Sequence, residues 1–196
     1  MEPMLVRRLL LTALLSAAAA TGCSGHGAVS QDVGGSNGYQ SGNLALDYIA
    51  VSARHAPPTV SGTLLDGQHF DLAQWRGKVV VVNFWGSWCD ECRAEALALQ
   101  QVSADDKAKG VEFLGINVRD DIPSAQKYDE HFGVTYPSLF DPSSLLALRF
   151  RGVPPNATPT TIVLDRHGRV AARQSGEIFY TQLRDLVDRV VKEPSA

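Results

Sequence analysis

Two cysteines separated by two residues, Cys89 and Cys92, are the side chains in this sequence best suited to chemistry. They lie in the stretch NFWGSWCDECRAE (residues 83–95), after a run of valines and before a stretch of helix-forming residues. Residues i and i+3 of a helix are about one turn apart, within the roughly 4.4 to 6.8 Å between Cα atoms that a disulfide tolerates. The pair can therefore close into a disulfide.

The order of the two cysteines predicts their roles. If Cys89 begins the helix, unpaired backbone N–H groups and the helix dipole favour its thiolate, so we expect an exposed nucleophile there. Cys92, one turn deeper, is expected to be the resolving thiol, which displaces the product from a mixed disulfide. The acidic side chains of Asp90 and Glu91 oppose thiolate formation. We expect these two residues to tune the potential toward a comparatively reducing couple.

Two other uses of the cysteine pair have less support. A disulfide that closes so short a loop adds little stability, which argues against a structural staple. A zinc site needs four ligands, but the sequence has no second Cys-x-x-Cys and its five histidines are scattered. We therefore expect no metal, and no cofactor other than the redox-active disulfide between Cys89 and Cys92.

The N-terminal residues predict export. A basic pair, Arg7-Arg8, precedes an apolar run that is too short to span a bilayer comfortably. The run ends at Cys23 in the sequence ATGC, which resembles a bacterial lipobox. We expect residues 1–22 to be a signal peptide of the lipoprotein type and Cys23 to be lipidated, which attaches the protein to the cell membrane outside the cytoplasm. The alternative is cleavage after Ala20, which leaves Cys23 as a free thiol.

Composition divides the rest of the chain into a tether and one domain. Residues 24–43 are rich in glycine and serine, so we expect residues 23–54 to be the lipid anchor and a flexible tether. The alternative for the more apolar residues 44–51 is an extra strand that packs on the domain. The folded domain is expected over residues 55–193. With 18 basic and 21 acidic residues and no dense lysine or arginine cluster, the chain lacks a surface for nucleic acid.

The pattern of apolar residues and turn residues predicts an α/β domain. We expect a hairpin at Asp66-Gly67, strands at 78–84 and 111–118, helices at 90–109, 122–132, 143–150 and 179–192, and a second hairpin formed by 160–165 and 169–175. This order implies a mixed central sheet with helices on both faces.

Several pieces of the sequence, taken in order, resemble the thioredoxin fold. They cover residues 55–190 and include APP (56–58), the DG hairpin, WRGKVVVVNFWGSWCDECRAE and TPTTIVLDRHGRVAARQSGE. The set is similar to the membrane-tethered, TlpA/ResA-like thiol-disulfide oxidoreductases of bacterial envelopes. The resemblance implies a thioredoxin-like fold with an N-terminal β-hairpin extension and an inserted strand-helix element. One departure is the dipeptide Asp90-Glu91, because family members usually carry proline before the second cysteine.

The resemblance also implies a surface that binds the substrate. Pro159 matches the family's cis-proline, which with Thr158 faces the cysteine pair and presents backbone to an extended substrate. The alternative for Pro159 is an ordinary loop proline without a role in the site. The sequence GVPP at 152–155 is a second candidate for the family's cis-proline. Trp88 resembles the family tryptophan that shapes the substrate surface beside the first cysteine.

Glu95 matches the acidic residue that the TlpA/ResA-like group carries one turn after its second cysteine. The resemblance makes Glu95 a candidate proton shuttle to Cys92, and the alternative is a solvated residue on the surface of the helix. Asn83 lies where thioredoxin itself buries an aspartate, which favours the role of Glu95 as the acid of the site.

The resemblance implies a reductase of apocytochrome c disulfides in cytochrome c maturation. Its substrates would be protein disulfides, and a membrane thiol-electron carrier would return it to the reduced state. A general disulfide oxidase or isomerase of secreted proteins uses the same residues in the opposite direction. A thioredoxin-fold peroxidase shares the fold, although WCxxC is not its usual signature.

Overall fold

The computed structural model describes residues 46–150 and 157–194, which contain eight β-strands and three α-helices. The strands are β1 (Asp47–Tyr48), β2 (Ser61–Thr63), β3 (His69–Asp71), β4 (Val79–Trp85), β5 (Val111–Val118), β6 (Ser138–Asp141), β7 (Thr160–Leu164) and β8 (Val170–Ser175). The helices are α1 (Asp90–Asp106), α2 (Ile122–Phe132) and α3 (Tyr180–Val191). The predicted signal peptide, Cys23 and the GVPP sequence lie outside the described residues.

Six of these strands form one mixed sheet in the order β1-β8-β7-β4-β5-β6. Strand β5 runs parallel to both β4 and β6, whereas β7 pairs antiparallel with β4 and β8. Strands β2 and β3 form a separate hairpin whose turn contains Asp66-Gly67, with Gly67 at a φ of 88°. The mixed central sheet and the N-terminal hairpin are therefore confirmed.

The valine run forms the centre of the sheet because every residue of β4 is buried. Side chains alternate between the two faces of a strand, so Val80, Val82 and Phe84 enter one apolar layer while Val79 and Val81 enter the other. A strand with apolar side chains on both faces is stable only when both faces are covered.

Different elements cover the two faces. Helices α1 and α3 pack on the face of Val79 and Val81, and Tyr128 of α2 stacks on Trp85 on that same face. The hairpin and two 3-10 helices, Leu72–Trp75 and Leu146–Arg149, cover the opposite face. The helix predicted at 143–150 is thus a short 3-10 helix within the described residues.

The packed domain begins before residue 55. Strand β1 pairs with β8, and the Arg54 guanidinium is buried between Asp165, 3.0 Å away, and Glu193, 2.6 Å away. Residues 46–54 therefore contact the domain, although composition assigns them to the tether. Within the described residues, none of the helices has the length and apolar character needed to cross a membrane.

Candidate active site

Cys89 is the N-cap of α1, and Cys92 lies in the first turn of that helix. The two form a disulfide with 5.2 Å between their Cα atoms. The Cys92 backbone N–H donates to the Cys89 sulfur over 3.1 Å. An N–H group directed at the sulfur stabilises negative charge there, so the local geometry favours a thiolate at Cys89 once the disulfide opens.

Both cysteines are largely covered in this oxidised state. Cys89 is 3% exposed and Cys92 is 0% exposed, so the exposed position predicted for Cys89 is wrong for the oxidised protein. The pair packs in an apolar cluster with Trp85 and Tyr128. Tyr128 also donates its hydroxyl to the Cys92 carbonyl oxygen over 2.6 Å, which fixes the first turn of α1 to α2.

Asp90 and Glu91 are both exposed in the first turn of α1. The Glu91 Oε2 lies 3.9 Å from the Cys89 sulfur. Acidic side chains in a first turn stabilise a helix through its dipole, but a carboxylate this close to the sulfur opposes the thiolate. The N-cap geometry and the Glu91 charge therefore act on Cys89 with opposite signs.

Glu95 is 1% exposed, so the alternative of a solvated residue on the surface of the helix is wrong. Its Oε1 accepts a hydrogen bond from Asn83 Nδ2 at 2.7 Å, and its Oε2 accepts one from the Ile178 backbone N–H at 2.9 Å. Burial raises the pKa of Glu95 to about 8, although these two hydrogen bonds lower it. The group therefore changes its charge close to neutral pH.

Glu95 lies beside the resolving cysteine, Cys92. Both residues belong to α1 and are three positions apart, so their side chains are neighbours on one face of the helix. Asn83, on the central strand, is itself positioned by a hydrogen bond to Thr161 Oγ1 of 3.1 Å. The carboxyl group beside Cys92 is thus anchored to the sheet.

The peptide bond between Thr158 and Pro159 is cis, as the resemblance implies. Pro159 is buried directly before β7, and its carbonyl oxygen accepts from the Gly176 N–H at 2.9 Å. The Thr158 hydroxyl oxygen accepts from Arg119 Nη2 at 3.2 Å. The loop before β7 is therefore tied to the segment that follows β5.

Arg119 joins the proline loop to Trp88. Trp88 is 47% exposed, and its indole N–H donates to the Val118 carbonyl oxygen over 3.2 Å. The Arg119 guanidinium carbon lies 4.6 Å from the centroid of the Trp88 ring, a cation–π contact. Sequence reasoning missed Arg119. Its φ of 50°, unusual for a residue other than glycine, is visible only in three dimensions.

Asp120 holds the loop before the cysteines. It accepts hydrogen bonds from the Ser87 N–H at 2.6 Å and from the Ser87 hydroxyl at 2.8 Å. Burial opposes its charge, but these contacts and those from Asn117 and Asp121 outweigh burial and keep the pKa of Asp120 below its ordinary value. Sequence reasoning missed Asp120 too, although a polar residue just after a buried strand is a signal that could have found it.

A closed disulfide at the start of a helix, packed against a mixed sheet and accompanied by a cis-proline, is the arrangement of thioredoxin-like thiol-disulfide oxidoreductases. The similar proteins of known structure and the curated relatives place the chain in this class of enzyme. The chain belongs to the Redoxin family, whose model matches residues 52–184.

Two curated relatives are thiol-disulfide oxidoreductases named ResA. The one from Geobacillus kaustophilus is 33% identical over 128 residues, covering 65% of this chain and 72% of the relative. The one from Geobacillus thermodenitrificans is 33% identical over 148 residues, covering 76% and 83%. These relatives support the thiol-disulfide chemistry.

A solved structure supports the fold independently. The crystal structure of a secreted thiol-disulfide isomerase from Corynebacterium glutamicum matches with a TM-score of 0.73 and 34% identity, covering 78% of this chain and 94% of the isomerase. A DsbF homologue from Corynebacterium diphtheriae matches with a TM-score of 0.71 and 34% identity, covering 79% and 99%. The names of the ResA relatives and of the secreted isomerase agree on thiol-disulfide chemistry.

Proposed function

We propose that this protein is an extracytoplasmic reductase of apocytochrome c disulfides, acting in cytochrome c maturation. The observation that favours reduction of the client over its oxidation is the Glu91 carboxylate 3.9 Å from the Cys89 sulfur. A negative charge there makes the reduced form less stable relative to the disulfide, so the couple gives up electrons more readily. Relatives named thiol-disulfide oxidoreductase ResA support the thiol-disulfide chemistry of this proposal.

The reaction begins on the reduced protein. The Cys89 thiolate attacks one sulfur of the client disulfide, forms a mixed disulfide and releases the other client sulfur as a thiolate, which takes up a proton. The Cys92 thiolate then attacks Cys89, which reforms the disulfide seen here and releases the second client thiol. The client gains two electrons and two protons, and the cysteine pair loses them. No metal or further cofactor enters this scheme.

Glu95 provides the base for the second step. Cys92 is fully buried, and a buried thiol ionises reluctantly in apolar surroundings. A carboxylate one helical turn away accepts the Cys92 proton as the thiolate forms. A pKa of about 8 in the oxidised protein makes Glu95 able both to take up and to release a proton near neutral pH.

Thr158, Pro159 and Trp88 form the surface that receives the client. Trp88 offers an exposed aromatic face, and the loop before β7 offers backbone groups of the kind that an extended peptide pairs with. Arg119 contacts both Trp88 and Thr158 and holds the two halves of this surface together.

The protein acts from the membrane surface in this proposal. Cys23 carries the lipid, and a membrane thiol-electron carrier reduces the Cys89–Cys92 disulfide after each turnover. Cys23→Ala should release the protein from the membrane fraction into the soluble envelope fraction. Retention of this variant in the membrane fraction would exclude the lipid at Cys23 as the anchor.

Trapping the client tests the function directly. Cys92→Ala removes the resolving thiol, so clients should accumulate as mixed disulfides on Cys89, visible on non-reducing gels. Cys89→Ala is the matched control and should trap little. Proteins with Cys-x-x-Cys-His sequences among the trapped clients support the proposal. Clients without such sequences, or trapping mainly through Cys92, contradict it.

An isomerase or oxidase of secreted proteins is the second candidate. The structural similarity to the secreted thiol-disulfide isomerase from Corynebacterium glutamicum specifically favours it. The reduction potential separates the two directions, because an oxidase such as DsbA has a potential of about −120 mV.

A further inference from the structure

A cleft with a volume of about 370 Å³ opens between α2 and the start of α1. Ser87, Arg93 and Tyr128 line it next to the cysteine pair. Ser87 precedes Cys89 by two residues, and the Tyr128 hydroxyl donates to the Cys92 carbonyl oxygen. The cleft therefore lies beside the redox-active disulfide without containing it.

The charged residues in the lining of this cleft are all basic. They are Arg93, on the turn of α1 after Cys89, and Lys127 and His131, one turn apart on α2. Arg93 and Lys127 carry positive charge at neutral pH. The chain as a whole has a net charge of −3, so the charge of this basic cleft is opposite in sign to that of the whole chain.

The cations of the basic cleft have donors left for a ligand. Arg93 donates through Nε and Nη2 to the Ser87 carbonyl oxygen, at 3.0 and 2.6 Å, so its guanidinium is held in place with further N–H groups unused. Lys127 makes no ion pair with any residue in the part of the chain that the structure describes.

Two acidic side chains next to the cleft, Asp120 and Asp121, already accept hydrogen bonds from residues that line it. Asp120 accepts hydrogen bonds from Ser87, as described above. Asp121 accepts from the Ser124 backbone N–H and from the Ser124 hydroxyl, both at 2.9 Å. These carboxylates keep two lining residues in position and reduce, without cancelling, the attraction of the cleft for an anion.

We propose that the basic cleft binds an acidic side chain of the protein client, an aspartate or glutamate close in sequence to the client disulfide. The proposal rests on the proposed function, since it concerns the substrate of the same cysteine pair. Complementary charge favours a carboxylate, and adjacency to Cys89 favours one that belongs to the client rather than to a free ligand. Binding there would bring the client sulfur toward Cys89 in a preferred orientation.

Paired peptides test the proposal. Synthetic Cys-x-x-Cys disulfide peptides carry glutamate at one of several positions beside the cysteines, and each has a twin with glutamine there. The second-order rate of reduction by the reduced full chain is measured at low and high salt. At the best position the glutamate peptide should react roughly two- to tenfold faster than its twin, because a few exposed ion pairs supply a preference of this order. The preference should shrink as salt rises.

Two variants locate the preference. Lys127→Gln should bring the ratio of the two rates close to one. Lys107→Gln removes the same charge at the opposite end of α1 and should leave the ratio unchanged. Two results would overturn client binding in the cleft and leave the proposed function intact. One is a preference that survives in both Lys127→Gln and Arg93→Gln. The other is the absence of a preference at every peptide position while both twins are reduced.

Two further outcomes complete the test. Free glutarate at the peptide concentration should leave both rates unchanged. Inhibition at that concentration would assign the cleft to a free carboxylate and overturn the client assignment. Failure to reduce any of the peptides would overturn the proposed reductase function together with the inference that rests on it.

Discussion

The Asn83 side-chain amide donates a hydrogen bond to the Glu95 carboxyl group over 2.7 Å, and both residues are buried. This bond connects the central strand to the helix that carries the cysteines. Asn83 holds no charge, so Glu95 does not share its proton with a second acid at this contact. Burial favours the neutral form of Glu95 and the hydrogen bond favours the charged form, and their balance leaves the pKa at about 8.

Glu95→Gln should slow the step in which Cys92 resolves the mixed disulfide by about 100-fold, a common effect of losing a general base. The variant should also lose the inflection near pH 8 in the pH–rate profile that the Glu95 pKa predicts. Stopped-flow measurement of client release across pH checks both. Glu130→Gln, an exposed glutamate on α2, is the control and should keep the wild-type profile. An unchanged profile in Glu95→Gln would remove Glu95 from the reaction.

The stability of the oxidised protein should fall as pH rises from about 4.5 to about 8. Burial raises the pKa of Glu95 across this window, so the folded state binds more protons than the unfolded state there. The loss is at most about 5 kcal/mol from Glu95. Burial also raises the pKa of Asp129, from 3.8 to about 7, which acts in the same direction.

Urea unfolding at a series of pH values checks this expectation. The free energy of unfolding should depend less on pH in Glu95→Gln than in the wild type, and the dependence that remains is the part expected from Asp129. Asp165 provides the contrast, because burial opposes its charge but hydrogen bonds from Arg169 and Arg54 outweigh it and lower its pKa. Its contribution is present above about pH 4 and is lost only in more acidic solution. Stability that rises between pH 5 and 8 would contradict the pKa assigned to Glu95.

Glu91→Gln should make the couple more oxidising by about 20 mV. A unit charge near 4 Å at an exposed site contributes roughly 1 kcal/mol, and 30 mV corresponds to about 1.4 kcal/mol for two electrons. Equilibration with a glutathione buffer measures the potential. Glu112→Gln is the control, because Glu112 lies on β5, away from the cysteines. A wild-type potential of about −120 mV would contradict the proposal that the protein is a reductase.

Arg119→Gly should weaken client binding without weakening the fold. Glycine accepts a φ of 50° readily, so the substitution removes the guanidinium and relieves about 1 kcal/mol of backbone strain. The contacts to Trp88 and Thr158 disappear, so KM for a peptide disulfide should rise several-fold while the reduction potential stays constant. Arg119→Lys keeps the charge and should restore part of the binding. Equal KM values in all three proteins would remove Arg119 from the client surface.

The long elements of the fold could be predicted from local patterns. Strand β5 and helix α2 have the predicted bounds. An apolar run, or a periodic stretch followed by glycine, can be recognised from the residues of that segment alone. Gly110 and Gly133 adopt the left-handed conformations expected at their helix ends. Strand β6 was missed, because four residues carry little pattern and their pairing is decided by distant strands. Strand β1 lies in the apolar stretch 44–51, where local pattern alone does not separate a strand from a tether.

The site divides in the same way. Cys89 and Cys92 follow from their spacing at a strand-to-helix junction together with the resemblance, and the cis-proline follows from the resemblance. The burial of Glu95 could not be predicted, because the Ile178 N–H that binds it is 83 residues away along the chain. Arg119 and Asp120 lie in a loop whose contacts with Trp88 and Ser87 arise only when the sheet brings the loops together.

If the protein acts on unfolded clients, as the proposed function requires, the two edges of the central sheet have a consequence for it. Strand β1 covers part of the outer edge of β8, and the Leu64 and Leu65 backbone pairs with the outer edge of β6. An uncovered edge would pair indiscriminately with the free N–H and C=O groups of an unfolded client and seed aggregation. Because both edges are partly covered, the sheet offers fewer backbone groups for such pairing, which favours release of the client once it is reduced.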